Sequence, residues 1–448
     1  MDGRPTSETV SKRGWLVAAL LVAAMMLGGG GSPNPATEIA LQLLAVLAAL
    51  VWLWLPGAGR RLPAGLLWLC VLVLAVPLLQ LVPLPPAIWQ ALPGRERMAE
   101  MLALVGEENS WRPLTISPPR TLASLLSLFP PLLVMVGTAL LGRRERGMLL
   151  IAIAGTGAAA AMLGGLQLAG GEGAFQLYDR SHPGWLTGFH ANRNAAADML
   201  LVASLALTAA MALRICERGI RRENLAVFLI VQAVFLFALL MTGSRAGIAL
   251  SVLAFGGGLA MFRSAGMRVP KRIVALGAAG AALVLALPLS GRIASVSSRF
   301  ADFDDPRPDL WQDTLTAIGV NWPAGSGLGT FVPAFLPHER FEVLDASMPN
   351  RAHNDFLEFA LETGALGPIL LLVLALILGR MALSGWRSGT RARIEVILAV
   401  SILLVMMLHS IVDYPLRNMA GACLAGVAAG LLAANLRKRR ARTGAMPK

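Results

Sequence analysis

Apolar runs of roughly 17 to 25 residues, the length that crosses a hydrocarbon layer, recur along the chain. They predict membrane-spanning helices near 14–31, 38–55, 63–84, 121–141, 148–169, 195–215, 225–241, 247–262, 273–289, 364–380, 394–410 and 419–436. The pattern is that of an all-α polytopic membrane protein with about twelve transmembrane helices, and an even number of crossings places both termini on one side. Membrane bundles of this length form one continuous unit, so residues 1–448 read as a single membrane domain. The first run follows Lys12-Arg13 as a signal peptide would. With no small-x-small cleavage site and eleven further runs behind it, it reads as an uncleaved anchor.

Composition agrees, at 56% hydrophobic residues and a formal charge of +13, with a mean hydropathy of +0.65. In a soluble protein so basic a chain would raise nucleic-acid binding, and placement decides against it. Of the 39 basic and 26 acidic residues, alternate connections hold 26 and six on one side, leaving 13 and 20 on the other. Short clusters such as Arg143-Arg144 and Arg221-Arg222 belong to the first side, which the positive-inside rule makes cytoplasmic. The expected location is therefore the bacterial inner (cytoplasmic) membrane, with both termini cytoplasmic. The clusters suit membrane lipids and no nucleic acid. Cys70, Cys216 and Cys423 lie far apart in or beside apolar runs, a spacing that supports no metal or redox centre.

Three external segments exceed what a connection needs: 85–120, 170–194 and 290–363. In the first, Trp89, Leu92, Met98, Met101, Leu102 and Val105 alternate with Arg95, Arg97 and Glu100, which predicts a helix lying at the interface. The equally economical reading is a packed loop helix. The third is a large periplasmic loop, and loops of that length are usually functional.

Ionisable groups avoid the middle of the spans, which counts against a proton- or ion-coupled transporter. They gather at the outer edge instead: Arg245, Arg307, Arg351, His353, Asp355, and His409 with Asp413 and Arg417. Guanidinium groups stay charged and grip phosphate oxygens in bidentate fashion, although an interfacial arginine can merely snorkel. An imidazole titrates near neutrality and could take a proton from a sugar hydroxyl, although a lone histidine is more often structural. Asp302, Asp304 and Asp305 have the look of a metal-diphosphate motif, but a solvated acidic loop explains them better, and no metal is expected.

Several motifs together resemble the O-antigen ligase and O-antigen polymerase superfamily. They are Gly188-Phe189-His190-Ala191-Asn192-Arg193-Asn194, Thr242 to Gly247, Arg307 to Trp311, and Gly325-Ser326-Gly327-Leu328-Gly329-Thr330-Phe331. The strongest is Ala352-His353-Asn354-Asp355-Phe356-Leu357-Glu358 followed by Glu362-Thr363-Gly364-Ala365-Leu366-Gly367, and His409 to Arg417 closes the series. The resemblance covers about residues 120 to 430.

It implies a C-type glycosyltransferase-like fold and a metal-independent, inverting enzyme without cofactor. The donor would be a glycan on undecaprenyl diphosphate, and the acceptor a glycan, lipid A-core or a protein. By this resemblance Arg245, Arg307 and His353 are catalytic. Arg351, Asn194, Asn354, Asp355, Asp413 and Arg417 become expected substrate-binding residues, the Arg307 assignment competing with Arg299 and Arg351 in the same loop. The implied activity is O-antigen ligase-like transfer in lipopolysaccharide or exopolysaccharide assembly. A polymerase and a protein O-oligosaccharyltransferase differ only in acceptor. A transporter or flippase is the rival of another class.

Overall fold

The computed structural model describes residues 10–30, 35–55, 62–171, 173–178, 182–272, 307–344 and 348–443, with three isolated positions between 275 and 279. The span expected at 273–289, the loop from 290 to 306 and its Arg299, Asp302, Asp304 and Asp305 lie outside the described residues. The chain is an all-α polytopic membrane protein. The described helices are α1 (Lys12–Leu27), α2 (Pro35–Trp54), α3 (Ala64–Gln80), α4 (Pro86–Trp89), α5 (Glu96–Leu104), α6 (Pro118–Ser127), α7 (Phe129–Leu140), α8 (Arg143–Ala169), α9 (Arg193–Arg218), α10 (Arg222–Met241) and α11 (Arg245–Ser264). After them come α12 (Arg307–Asn321), α13 (Phe331–Phe335), α14 (Asp355–Thr363), α15 (Leu366–Trp386), α16 (Thr390–His409) and α17 (Met419–Thr443). Among the described residues the strands are a two-residue antiparallel pair, Pro83–Leu84 with Arg112–Pro113.

Nine helices among the described residues are long and apolar enough to cross a membrane, counting α6 and α7 as one. α1 and α3 are apolar but shorter, at 16 and 17 residues. Eleven of the expected crossings thus meet a helix. The α6–α7 crossing breaks at Leu128, because Pro130 and Pro131 cannot donate to the ladder behind them.

α9, α16 and α17 form the enclosed centre, whereas α2, α10 and α15 turn most of their surface outward. Small residues permit the tight contacts. A Cβ on Gly426 would stand 2.6 Å from the Pro131 carbonyl oxygen, and one on Gly430 2.5 Å from that of Met135, so α17 presses backbone to backbone on α7.

The end of the bundle that carries the large loop is a fixed platform. Gln80, at the end of α3, donates to the Glu362 carbonyl at 2.8 Å and accepts from Leu328 N–H at 2.9 Å. Arg95 is fully buried and donates to the carbonyls of Leu114 (2.7 Å) and Gly325 (2.8 Å). The interfacial helix expected over 85–120 is therefore two short helices, α4 and α5, stapled to the large loop through Arg95; Trp89 is buried as well. Gly364, at φ +57, lies so close to Pro323 that a Cβ would stand 2.0 Å from its carbonyl oxygen, which locks α14 against the end of α12.

Candidate functional site

Three arginines each occupy the first turn of a helix at this platform. Arg193 opens α9 behind the Asn192 cap, whose side chain accepts from Asn194 N–H at 2.8 Å. Arg245 opens α11 behind Ser244, whose hydroxyl accepts from Gly247 N–H at 3.1 Å. Arg307 opens α12. The charge of Arg193 feels those of both Arg245 and Arg307, and also that of Asp413, so the three guanidinium groups share one electrostatic field. Arg193 lies over the Trp185 ring at 4.8 Å. Trp185 in turn covers Gly243, at φ +62, where a Cβ would fall 2.0 Å from the indole, so the α10–α11 turn accepts only glycine there.

Asp413, whose charge reaches Arg193, belongs to a histidine–aspartate pair. His353 has φ +47, a left-handed conformation rare outside glycine that commonly marks functional positions. Its Nδ1 lies 3.2 Å from Asp413 Oδ1, and its ring meets Tyr414 edge-on at 4.9 Å. Asp413 Oδ2 accepts from Asn192 Nδ2 at 3.3 Å, and the Asn194 side chain bonds the same carboxylate. Burial would raise Asp413, but the hydrogen bond and charge of His353 and the charge of His409 outweigh it and hold the carboxyl below its ordinary value. An ionised Asp413 keeps the proton on His353 Nδ1 and leaves Nε2 as the acceptor. His353 is partly exposed, with a side chain about a third accessible, while Asp413 is buried. Beneath the pair, His409 Nδ1 meets Asp198 Oδ1 at 2.6 Å inside the bundle.

The remaining candidates form a buried ionic network beside this pair. Arg417 faces Glu362 at 2.7 Å, Glu358 at 3.5 Å and Asp355 at 3.6 Å, and Arg351 pairs with Glu358 at 2.8 Å. Ser410 Oγ donates to Asp355 Oδ2 at 2.8 Å, tying the loop that carries Asp413 to α14. Asn354 caps α14, its Oδ1 accepting from the N–H groups of Phe356 (3.0 Å) and Leu357 (3.1 Å). The structure thus brings together Arg245, Arg307, His353, Asp413 and Asn194. It places Asn354, Asp355 and Arg417 in contacts to the protein itself, and leaves Arg351 partly exposed beside its partner Glu358.

Sequence reading gave no role to Arg193, Asn192 or Tyr414, or to Glu358 and Glu362, the carboxylates that answer Arg351 and Arg417. Arg193 belongs to the motif that runs from Gly188 to Asn194, and its place at the start of a capped helix is the available signal.

Three carboxyls against two guanidinium groups leave one acid in excess. Burial is the largest influence on Asp355, opposed by Arg417 and Ser410, and the result is pushed up to about 7 from 3.8. The folded protein therefore retains a proton that the unfolded chain has released, and its stability falls as pH rises from about 4 to about 7. Asp355→Asn, which fixes the neutral form, flattens that part of the apparent melting temperature against pH. A slope as steep as that of the wild type would assign it to another group.

A polytopic helical membrane protein with an arginine–histidine site at one membrane face is the class these features define. A family model for O-antigen ligase matches residues 225–372, the stretch that carries Arg245, Arg307, Arg351 and His353. The likeness to the O-antigen ligase and polymerase superfamily read from the motifs holds over that stretch, about a third of the chain. Arg193, Asn194 and Asp413 lie outside the match. No curated protein matches the chain.

Proposed function

We propose that the protein transfers a glycan from undecaprenyl diphosphate to an acceptor hydroxyl at the periplasmic face of the inner membrane, as an inverting, metal-independent glycosyltransferase of lipopolysaccharide or exopolysaccharide assembly. The observation that carries this reading is that Arg193, at the start of α9, lies within electrostatic reach of Arg245, of Arg307 and of Asp413, the carboxylate that His353 meets at 3.2 Å. Helix N-termini and guanidinium groups both favour an anion, and a lipid diphosphate presented from the outer leaflet meets them together.

In the step proposed, the acceptor oxygen bonds to the anomeric carbon as the bond from that carbon to the diphosphate oxygen breaks. The departing diphosphate takes the electron pair, and the arginines stabilise the charge that grows on it. The hydroxyl proton passes to His353 Nε2, leaving an imidazolium held by Asp413. Attack opposite the leaving group inverts the anomeric centre. Asn194 orients Asp413, and Arg351, the partly exposed member of the ionic network, remains the member placed to meet a glycan. Asn354, Asp355 and Arg417 hold α14 and the loop at 410–418 in register, a positioning role in place of substrate contact.

The experiment is reconstitution of purified protein with a lipid-linked oligosaccharide and, in parallel, lipid A-core, a second lipid-linked repeat, or a serine-containing protein acceptor. Transfer to one acceptor, unchanged by EDTA, is expected. Complete loss of transfer with EDTA, restored by a divalent cation, would overturn metal independence. Absence of transfer to every acceptor, with donor translocated across the vesicle instead, would replace the reading with that of a flippase.

A further inference from the structure

At the bundle face opposite the arginine–histidine site, the ends of α8, α9, α10 and α16 leave an open cleft of about 680 Å³. Among the described residues its mouth carries Arg143, Arg144, Arg214, Arg218 and Arg391 and a single carboxylate, Glu217. Below the mouth the walls are apolar. They include Ile151 and Val227, each more than half exposed on the outer surface of the bundle, and Phe228, fixed edge-on against Phe262 at 5.6 Å.

The lining carboxylate Glu217 and the neighbouring Glu395 are already engaged. Glu217 pairs with Arg391, which reaches Glu395 at 3.2 Å and the Arg143 carbonyl at 2.7 Å. Glu395 also holds the buried Arg146 through contacts of 3.1 to 3.3 Å. Arg391 therefore braces the cleft, with its charge answered from within the protein. Arg214 lies against a neutral partner, the Asn224 amide, whose oxygen accepts from Nε at 3.0 Å and Nη2 at 3.2 Å when the amide is turned to suit both groups. With Glu217 committed to Arg391, the charge of Arg143, Arg214 and Arg218 has no further lining carboxylate among the described residues to balance it.

A ring of guanidinium groups above apolar walls, set at the ends of membrane-spanning helices and open to the bilayer, matches an amphiphile with an anionic head. We propose that this cleft binds an anionic phospholipid, its phosphate held by the arginines at the mouth and its acyl chains lying along Ile151, Val227 and Phe228. Guanidinium groups recognise phosphate oxygens with directed, paired hydrogen bonds, and basic pockets between spanning helices select anionic headgroups. A zwitterionic head would bring its own cation against the arginines, so discrimination should run in favour of net negative lipids.

The test uses the full-length protein in phosphatidylcholine nanodiscs doped with phosphatidylglycerol, with retained lipid counted by native mass spectrometry. Wild type should enrich phosphatidylglycerol over its bulk share. R214Q/R218Q should lose that enrichment about tenfold or more, R214K/R218K should keep most of it, and R263Q/R268Q, which removes two exposed arginines outside the cleft on the same face, should leave it unchanged. If R214Q/R218Q does not fold, the single exposed change R218Q against R218K carries the same comparison. Equal loss in R263Q/R268Q, or no preference over phosphatidylcholine, would overturn the proposal. So would displacement of the lipid by inorganic phosphate, which would mark a free-anion site instead.

Discussion

Replacing His353 by alanine lowers the rate of glycan transfer by about 10²- to 10⁴-fold, the usual share of a positioned proton acceptor, and leaves donor binding intact. The reason lies in the pair of 3.2 Å between His353 Nδ1 and Asp413 Oδ1. In the proposed mechanism Asp413 fixes the tautomer that exposes Nε2 and stabilises the imidazolium that would form during transfer, so Asp413→Asn should fall in the same direction. The two changes act on one unit, and the double variant should be no slower than the slower single variant. Rates are read from product formation in proteoliposomes under saturating donor, and donor affinity from a separate binding measurement. Near-normal transfer by H353A would remove the proton-accepting role. Strictly multiplicative losses in the double variant would mean that Asp413 acts elsewhere, for example through its bond to Asn192.

Much of this fold is written in the chain as apolar length, and what is not written there is mostly pairing across distance. Spans end where backbone chemistry ends them. The first expected run stops at Leu27, before Gly28 to Gly30, and the third stops at Gln80, ahead of Pro83, Pro85 and Pro86. The interfacial helix broke for a tertiary reason: Gly94 is at φ +74 with Asn321 where a Cβ would go, and Arg95 is drawn inward to the carbonyls of Leu114 and Gly325.

At the site, His353 and Asp413 are sixty positions apart, and their residue types suggest chemistry without saying that they touch. Arg417 and Asp355 look like free polar groups in the sequence, yet the buried Glu358 and Glu362, one helical turn apart on α14, claim Arg417. Asn354 has the form of a binding residue and of a helix cap, and its bonds to Phe356 and Leu357 are those of a cap. Arg193 was hidden for the opposite reason, since its neighbours Arg245 and Arg307 lie on other helices and no local pattern links the three.

The strongest discrimination therefore comes from Arg193, which lies outside the family-matched stretch but inside the electrostatic field of Arg245 and Arg307. Removing any one of the three should cost about 10²- to 10³-fold in transfer, the magnitude associated with losing one preorganised donor to developing charge. Lysine in the same position keeps the charge but loses the planar fork, so R193K, R245K and R307K should each recover only part of the rate. Trp185→Ala should weaken transfer in the same direction as R193A but less, because the ring at 4.8 Å orients the guanidinium and carries no charge of its own to offer a diphosphate. Donors with better leaving groups need less charge stabilisation, and the arginine variants should lose less of their rate on such donors, whereas H353A should lose as much as before. An R193A protein with normal transfer, normal folding and normal donor affinity would confine the diphosphate site to Arg245 and Arg307. If R245A and R307A were equally undisturbed, the reading of this face as a diphosphate grip would fall with them.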